Sequence, residues 1–330
     1  MRRVLAGDIG GTNSRLAICE VDGLQVERVA EAVVSSQAHD SLEEIVRGFV
    51  LAHPMELHSA CLGIPGPVHG RRAVTTNLPW QVDADTLERA LELGTVHLLN
   101  DLEASAHGVL ALPDDAFHVL RRGEDVEGNM GLVAAGTGLG EAGILRSRGR
   151  CIPFATEGGH TDFAPRTDLE IDLLRWLEQQ HARVSWERVV SGPGIESLYA
   201  FLRDRDPSAE PSWLAEELAS SQPASRITHH ALEQTNELCG RAVDLFLALL
   251  GAEAGNLALK LLATGGIYLA GGIAPRLVPL FERSPFLTRF DDKGRMQRIT
   301  EQIPVRIVLD DMAGLIGAAH YAAVQPLQRG

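Results

Sequence analysis

Two glycine–threonine turns, each after a short apolar run, carry the residues of this chain best suited to bind an anion. They are Asp8-Ile9-Gly10-Gly11-Thr12-Asn13 and Gly136-Thr137-Gly138-Leu139-Gly140. Glycine at a hairpin tip permits a positive φ and uncovers backbone amides, so the amides and a threonine hydroxyl can hydrogen-bond a phosphate. Asp8 lies just before the first turn and could hold a cation, directly or through water. Each turn alone is equally compatible with an ordinary hairpin.

Three further polar residues have types suited to acid–base catalysis or to binding hydroxyl groups. Asp101 follows an apolar run and opens a predicted helix, where it would serve as a general base or merely as a cap. Glu157 and His160 flank a Gly-Gly step, which predicts a flexible bend suited to binding hydroxyl groups. The alternative for the bend is a loop carboxylate with a solvent-facing histidine. A metal site at His160 and Asp162 is disfavoured, because no third ligand is evident nearby in the sequence.

Composition limits the class of protein. The chain has 330 residues, enough for two domains, and 30 basic against 44 acidic residues give a formal charge of −14. That charge argues against a general nucleic-acid or anionic-membrane binder, and no apolar run predicts a membrane span. Four widely spaced cysteines and a start without a signal sequence favour free thiols in the cytoplasm.

Several familiar nucleotide-binding motifs are excluded. The chain has two lysines, Lys260 and Lys293, and neither lies in a P-loop sequence, while the H-R-D and D-F-G signatures of protein kinases are absent. A G-x-G-x-x-G sequence spans residues 138–143, but an apolar strand pattern follows it where a dinucleotide site needs a helix.

The order of elements predicts duplicated architecture. Strand patterns at 4–9, 14–20 and 26–34 open the chain, and a strand, turn and return strand recur about 128 residues later at 130–146. Charge and turn residues at 113–131 indicate a domain boundary. Long helices are predicted at 168–181, 194–204, 211–220 and 227–249, and a small-residue helix at 312–323 is suited to close packing.

Six motifs in order along the chain resemble those of bacterial ATP-dependent glucokinases. Besides the two turns they are Thr76-Asn77-Leu78-Pro79-Trp80, Leu99-Asn100-Asp101-Leu102-Glu103-Ala104, Glu157-Gly158-Gly159-His160-Thr161-Asp162 and Leu269-Ala270-Gly271-Gly272-Ile273. The resemblance implies an α/β protein of the actin, sugar-kinase and chaperone ATPase superfamily. Its two domains would each hold a ribonuclease-H-like mixed sheet flanked by helices, with an interdomain cleft. We expect a small domain at 1–112, completed by a C-terminal helix at 311–325, and a large domain at 113–310.

The resemblance also implies the roles of individual residues. Asn100, Asp101, Glu157, His160 and Glu187 would bind glucose, with Asp101 as the catalytic base. ATP would contact Thr12 and Thr137 from opposite domains, and Gly271-Gly272 would let adenosine approach the backbone, although a tight strand–helix crossing explains these glycines equally well. Asp8 would hold Mg²⁺ through water. The remaining phosphate-binding positions are Gly10, Gly11, Asn13, Gly136 and Gly138.

The predicted reaction transfers the γ-phosphate of ATP to the 6-hydroxyl of glucose, giving glucose 6-phosphate and ADP. A kinase for fructose, mannose or an N-acetylhexosamine is an alternative, and so is a non-catalytic sugar or nucleotide sensor on the same fold. The related ROK group carries a zinc-binding cysteine cluster that this chain lacks, so zinc is not expected. The family resemblance suggests a homodimer, with no nucleic-acid or membrane partner.

Overall fold

The computed structural model describes residues 1–75, 78–124, 126–219 and 222–325. The motif residues Thr76 and Asn77 therefore lie outside the described part of the chain. The chain divides into two compact units. The first unit comprises Met1–Ala116, Pro153–Ala155 and Asp310–Gly330, and the second comprises Phe117–Ile152 and Thr156–Leu309.

The strands and helices are numbered here in chain order. The strands are β1 (Arg2–Ile9), β2 (Asn13–Asp22), β3 (Gln25–Ser35), β4 (Ser59–Ile64), β5 (Val68–His69), β6 (Arg72–Val74), β7 (Gln81–Asp83), β8 (Val96–Asn100), β9 (Phe117–Arg121), β10 (Met130–Ala135), β11 (Leu139–Ser147), β12 (Arg150–Thr156), β13 (Gly266–Ala270) and β14 (Val305–Val308). The helices are α1 (Leu42–Ala52), α2 (Ala84–Leu91), α3 (Asp101–Val109), α4 (Asp168–Glu178), α5 (Gly192–Arg205), α6 (Ser212–Leu218), α7 (Pro223–Leu232), α8 (Glu237–Leu261), α9 (Val278–Phe281), α10 (Phe286–Asp291), α11 (Gln297–Thr300) and α12 (Ala313–Val324).

Each unit contains a mixed sheet of the same plan, as the repeated sequence pattern predicts. The first has the order β3-β2-β1-β4-β8, and the second has the order β12-β11-β10-β13-β14-β9. In both, an antiparallel hairpin (β1–β2 or β10–β11) is extended by a parallel strand (β4 or β13). The predicted α/β class with mixed sheets flanked by helices is confirmed.

The first sheet buries both of its faces. Along β1, Leu5 packs in one hydrophobic core, whereas Val4 and Ala6 pack in a second core on the opposite face. Successive side chains of a strand point to opposite faces, so a strand covered on both sides reads as a continuous apolar run. This explains the short apolar segment that precedes the first glycine–threonine turn.

Small residues let α3 and α12 pack at very short range in the first unit. A Cβ atom at Gly108 would overlap the carbonyl oxygen of Ala313, and one at Gly317 would overlap that of Ala104. The close packing predicted for the C-terminal helix is confirmed. Because α3 begins at Asp101, this contact fixes the helix that carries the proposed base.

The helix predicted at 227–249 was wrong, because two helices occupy this region. Between α7 and α8, Gln234 has a left-handed φ of 54° and Asn236 caps α8 by accepting a hydrogen bond from Cys239 N at 3.0 Å. The first amides of a helix have no carbonyl partner within it, and an asparagine at the N-cap accepts a hydrogen bond from one of them. The turn residues 234–236 therefore end one helix and begin the next.

Helix α8 also corrects the expectation about membrane-spanning segments. The helix has 25 residues, and an 18-residue stretch of it has a mean hydropathy of 1.5, so by length and composition it could cross a membrane. However, 83% of that stretch is buried within the protein. Such burial is typical of a core helix. The four cysteines are unpaired, and Cys19, Cys61 and Cys239 are buried.

We predict that His107 on α3 makes the protein less stable in mild acid. Burial first, and the neighbouring charge of His320 second, lower the pKa of His107 to about 4. Below its ordinary pKa of 6.5 the unfolded chain binds a proton that the folded chain rejects, so the free energy of unfolding falls from pH 6.5 to pH 4 and then levels off. The contribution is on the order of 3 kcal/mol.

Urea unfolding of the wild type and of His107→Gln between pH 4 and 7 measures this effect, with the exposed His69→Gln as the matched control. The dependence on pH should be shallower in His107→Gln alone. Parallel curves for the wild type and His107→Gln would contradict the assignment.

Candidate functional site

The first glycine–threonine turn joins β1 to β2 and is braced by a buried serine. Gly10 N donates to Asn13 O at 3.0 Å, and Ser36 N and Oγ donate to Thr12 O and Gly10 O at 2.8 and 2.7 Å. Among the described residues, no acceptor is found for the Gly11 or Thr12 amides, and the Thr12 side chain is exposed. These donors are available to an anion, as the sequence predicts.

The expected reason for the glycines was wrong. None of the glycines in either turn has a positive φ. A Cβ atom at Gly10 would instead lie 2.6 Å from Asn13 O, and one at Gly138 would lie 2.6 Å from a carboxylate oxygen of Glu187. Close approach of neighbouring atoms, rather than a left-handed backbone, requires glycine at these two positions.

The second turn joins β10 to β11 and is connected to α5. Gly136 N donates to Gly138 O at 2.9 Å, and Gly192 N, the first amide of α5, donates to Gly136 O at 2.8 Å. Thr137 is exposed at the tip. The turn therefore presents its hydroxyl beside the beginning of a helix, where the partial positive charge favours an anion.

A cavity of about 320 Å³ in the second unit opens beside Thr137. Gly272 lines it, as the adenosine prediction requires. Gly271 does not line the cavity. Its φ is 81°, and a Cβ atom there would overlap Ala135 O, so this glycine fits the alternative, a tight crossing after β13. Sequence reasoning missed most of the lining, although the run 191–194 at the start of α5 offered a signal. The other lining residues include Ile195, Glu196, Ser225, Thr228, Ile273 and Arg276.

The predicted sugar bend is a 3₁₀ turn (Gly158–His160) that lies directly on β11. Cβ atoms at Gly158 and Gly159 would overlap the Glu141 carboxylate and Leu139 O respectively. Gly158 N donates to Thr156 Oγ1 at 3.2 Å, and that hydroxyl donates to Glu141 O at 2.9 Å. The expectation of a flexible loop is corrected, because contact with the strand leaves this backbone little space to move.

Three predicted sugar ligands converge in the second unit. His160 Nε2 lies 4.0 Å from Glu157 Oε2, and His160 Nδ1 lies 3.9 Å from Glu187 Oε1. The other oxygen of Glu187 accepts a hydrogen bond from Leu139 N at 3.0 Å, so this side chain joins the bend to the second turn. Only the family resemblance, and no local pattern, marks Glu187 in the sequence. Hydrogen-bond donors and acceptors that suit sugar hydroxyls are thus available at one place.

A metal site at the bend is not supported. Asp162 pairs with Arg183 Nε at 2.7 Å, and within the described ranges no group of three or more His, Cys, Asp or Glu residues could hold a metal ion.

Asn100 and Asp101 lie where β8 ends and α3 begins, in the first unit. Asn100 Oδ1 accepts from Leu102 N at 2.9 Å and from Glu103 N at 3.3 Å, and Nδ2 donates to Gly66 O at 3.1 Å. The N-cap of α3 is therefore Asn100, although Asp101 Oδ1 also accepts a hydrogen bond from Leu102 N at 3.0 Å. Asp101 occupies the first helical position, where the helix dipole favours its ionised form.

The carboxyl group of Asp8 is only partly compensated by its surroundings. Burial raises its pKa, the positive charge of Arg15 lowers it, and the negative charge of Asp311 raises it again. Arg15 Nη2 itself pairs with Asp311 Oδ2 at 2.8 Å. Oxygen donors with a surplus of negative charge fit a hard cation such as Mg²⁺, which keeps several waters when few protein ligands are present.

Comparison with known proteins agrees with the motifs. The chain matches the Glucokinase family model over residues 5–325. It is 42% identical to the glucokinase of Synechocystis sp. over 97% of each chain, and 40% identical to that of Nostoc punctiforme over 98% of this chain and 99% of the relative. A crystal structure of a glucokinase from an Antarctic psychrotroph superposes with a TM-score of 0.85 at 31% identity, covering 98% of this chain and 100% of that one. The chain therefore belongs to the glucokinase family, whose members are kinases that phosphorylate glucose with ATP.

Proposed function

We propose that the protein transfers the γ-phosphate of ATP to the 6-hydroxyl of glucose, with Asp101 as the general base, and releases glucose 6-phosphate and ADP. One observation carries the proposal: in a chain of this family, Glu157, His160 and Glu187 converge, and Glu187 hydrogen-bonds the strand that begins at the second glycine–threonine turn. Sugar ligands and a phosphate-binding turn are thus connected directly.

Glucose is the proposed substrate because the chain belongs to the glucokinase family, and the available groups can bind sugar hydroxyls. Carboxylate oxygens of Glu157 and Glu187 accept hydrogen bonds, and His160 can donate or accept. Asn100 keeps one amide hydrogen beyond its bond to Gly66 O, which it can donate to a sugar oxygen. A protein of this fold from Balamuthia mandrillaris was crystallised in complex with glucose, at 23% identity and a TM-score of 0.79.

Asp101 would remove the proton of the attacking hydroxyl. A positioned carboxylate contributes roughly 10²–10⁴-fold to such a step. Because phosphoryl transfer depends mostly on positioning and charge stabilisation, the same carboxylate also orients the hydroxyl toward the phosphorus.

ATP would bind at the two turns and in the cavity beside Thr137. The exposed hydroxyls of Thr12 and Thr137 donate to phosphate oxygens, and Gly272 lies where adenosine meets the backbone. A structure of a ROK family glucokinase from Streptomyces griseus, 21% identical and with a TM-score of 0.68, holds glucose and AMPPNP. Mg²⁺, when bound near Asp8 through water, supplies neutralising charge to the phosphates.

The wider setting of the reaction is also a proposal. Glucose 6-phosphate enters glycolysis, and the four unpaired cysteines suit a reducing cytoplasm. We carry over a homodimer from the family resemblance alone.

We predict that Asp101→Asn lowers kcat by roughly 10²–10⁴-fold, because asparagine keeps the size of the side chain but cannot accept the proton. The readout is a coupled assay for glucose 6-phosphate. Asp115→Asn, which removes an exposed carboxylate in the same unit, is the matched control and should keep the wild-type rate. Near-normal turnover of Asp101→Asn would rule out Asp101 as the base.

We predict that Gly159→Ala raises KM for glucose by about 10²-fold, because the new Cβ atom meets a backbone oxygen and displaces the bend. Gly240→Ala is the control, since a Cβ atom there, in α8, has no heavy atom within 4 Å. Steady-state kinetics with glucose varied at saturating ATP measures the effect. An unchanged KM in Gly159→Ala would argue against the bend as the sugar site.

We predict that Ser225→Trp raises KM for ATP and leaves KM for glucose near the wild-type value, because an indole at this exposed lining position fills the cavity. His229→Trp places the same group on the exposed surface of the same helix and serves as the control. If ATP binds Ser225→Trp normally, the nucleotide lies elsewhere.

A further inference from the structure

A buried carboxyl group, that of Glu141, packs against the sugar bend. Glu141 on β11 is 1% exposed, and its Oε2 atom is the first atom that a Cβ at Gly158 would meet. Among the described residues, no group donates a hydrogen bond to either carboxylate oxygen. An ionised carboxylate in such a place is costly, whereas a neutral carboxyl is much less so.

Glu253, an acidic neighbour, has a hydrogen-bond donor for each of its oxygens, and Glu141 has none. Glu253 on α8 is 0% exposed, and its two oxygens accept hydrogen bonds from Asn256 Nδ2 at 2.8 Å and Lys260 Nζ at 3.0 Å. Burial first, and the negative charge of Glu253 second, raise the pKa of Glu141 to about 8, against the opposing effect of Lys260. A hydrogen bond that the neutral carboxyl group can share with Glu253 raises this pKa further. At neutral pH these surroundings therefore favour the neutral form of Glu141.

The other ionisable groups around this position are few. Lys293, after α10, donates to Ala252 O and Asn256 Oδ1 at 2.8 Å each, and burial lowers its pKa to about 8. Glu157 and His160 belong to the bend itself. Strand β10 has no ionisable residue, and β12 contributes Arg150 and Cys151.

We propose that Glu141 is a positioning residue for glucose: as a neutral carboxyl it supports the Gly158–His160 turn, and its ionisation displaces the turn and weakens sugar binding. The step is a simple loss of one proton to solvent. The charged group would have to reach water or a counter-charge, and the backbone of Gly158 is in direct contact with its Oε2 atom. The inference rests on the proposed assignment of Glu157 and His160 as sugar ligands.

The first test compares the pH dependence of KM for glucose in the wild type and in Glu141→Gln from pH 6.5 to 9.5. Glutamine has nearly the same shape and stays neutral throughout. In the wild type, KM should rise about tenfold per pH unit above pH 8, as expected when only the protonated form binds. In Glu141→Gln this rise should be absent, while Glu178→Gln, which changes an exposed glutamate of α4, should follow the wild type.

Lys293 remains in all of these variants, so a rise that persists in Glu141→Gln would assign the effect to another group and overturn the proposal. A wild-type KM that stays constant to pH 9.5 would overturn it too. KM for ATP serves as an internal control, because general loss of structure would raise both constants.

A second measurement needs no variant and covers the case in which Glu141→Gln does not fold. Calorimetric titration of the wild type with glucose at pH 8.5, in buffers of different ionisation enthalpy, reports proton exchange on binding. Binding should take up a proton, approaching one per glucose as pH rises; no uptake would contradict the proposal. Glu157→Gln separates the two hypotheses: an unchanged KM at pH 7 would refute the sugar site itself, whereas a raised KM together with parallel profiles for Glu141→Gln and wild type would refute only the role of Glu141.

Discussion

The backbone of Gly158 and Gly159 lies directly on the first residues of β11, and the proposed sugar site of the second unit depends on this contact. The same short stretch of strand serves three purposes. Leu139 binds Glu187 through its amide and contacts Gly159 through its carbonyl, while Glu141 contacts Gly158. Side chains two residues apart face the same side of a strand, so Leu139 and Glu141 form one supporting surface. A displacement of β11 would therefore move the phosphate turn and the sugar bend together.

In the first unit too, glycines that leave no room for a side chain position the candidate site residues. Gly108 and Gly317 let α3 and α12 approach until backbone touches backbone, and Asn100 caps α3 while its amide holds Gly66. Asp101 is placed by a capped helix end and a crowded helix pair rather than by a flexible loop. A group on a rigid element loses little entropy when substrate binds, because it is already in position. Positioning of this kind is a main contribution that phosphoryl transfer needs from a protein.

Two carboxyl groups in the candidate site regions, Asp8 beside Gly314 and Glu141 beside Gly158, are less compensated than Glu253. Burial raises the pKa of both Asp8 and Glu141, each close to a glycine that admits it, whereas Glu253 satisfies both of its oxygens within α8. A buried carboxyl without full compensation either awaits a cation or stays protonated. The first outcome suits Asp8 beside the phosphate turn, and the second suits Glu141 beneath the sugar bend.

The sequence by itself determined the duplicated α/β plan and both turns, because glycine spacing, apolar periodicity and capping residues are local signals. The family and the candidate ligands followed from the resemblance of six motifs in order along the chain. It could not separate α7 from α8, since apolar residues recur at helical spacing on both sides of the polar residues 234–236, and the hydrogen bond accepted by Asn236 shows the break. Nor could it give the reason for the glycines: local rules predict a positive φ at Gly10 and Gly138, whereas contacts with Asn13 and Glu187 exclude a Cβ atom. The convergence of His160 with Glu187, the lining of the cavity and the burial of Glu141 beside Gly158 and Glu253 involve residues far apart along the chain, and only the tertiary structure brings them together.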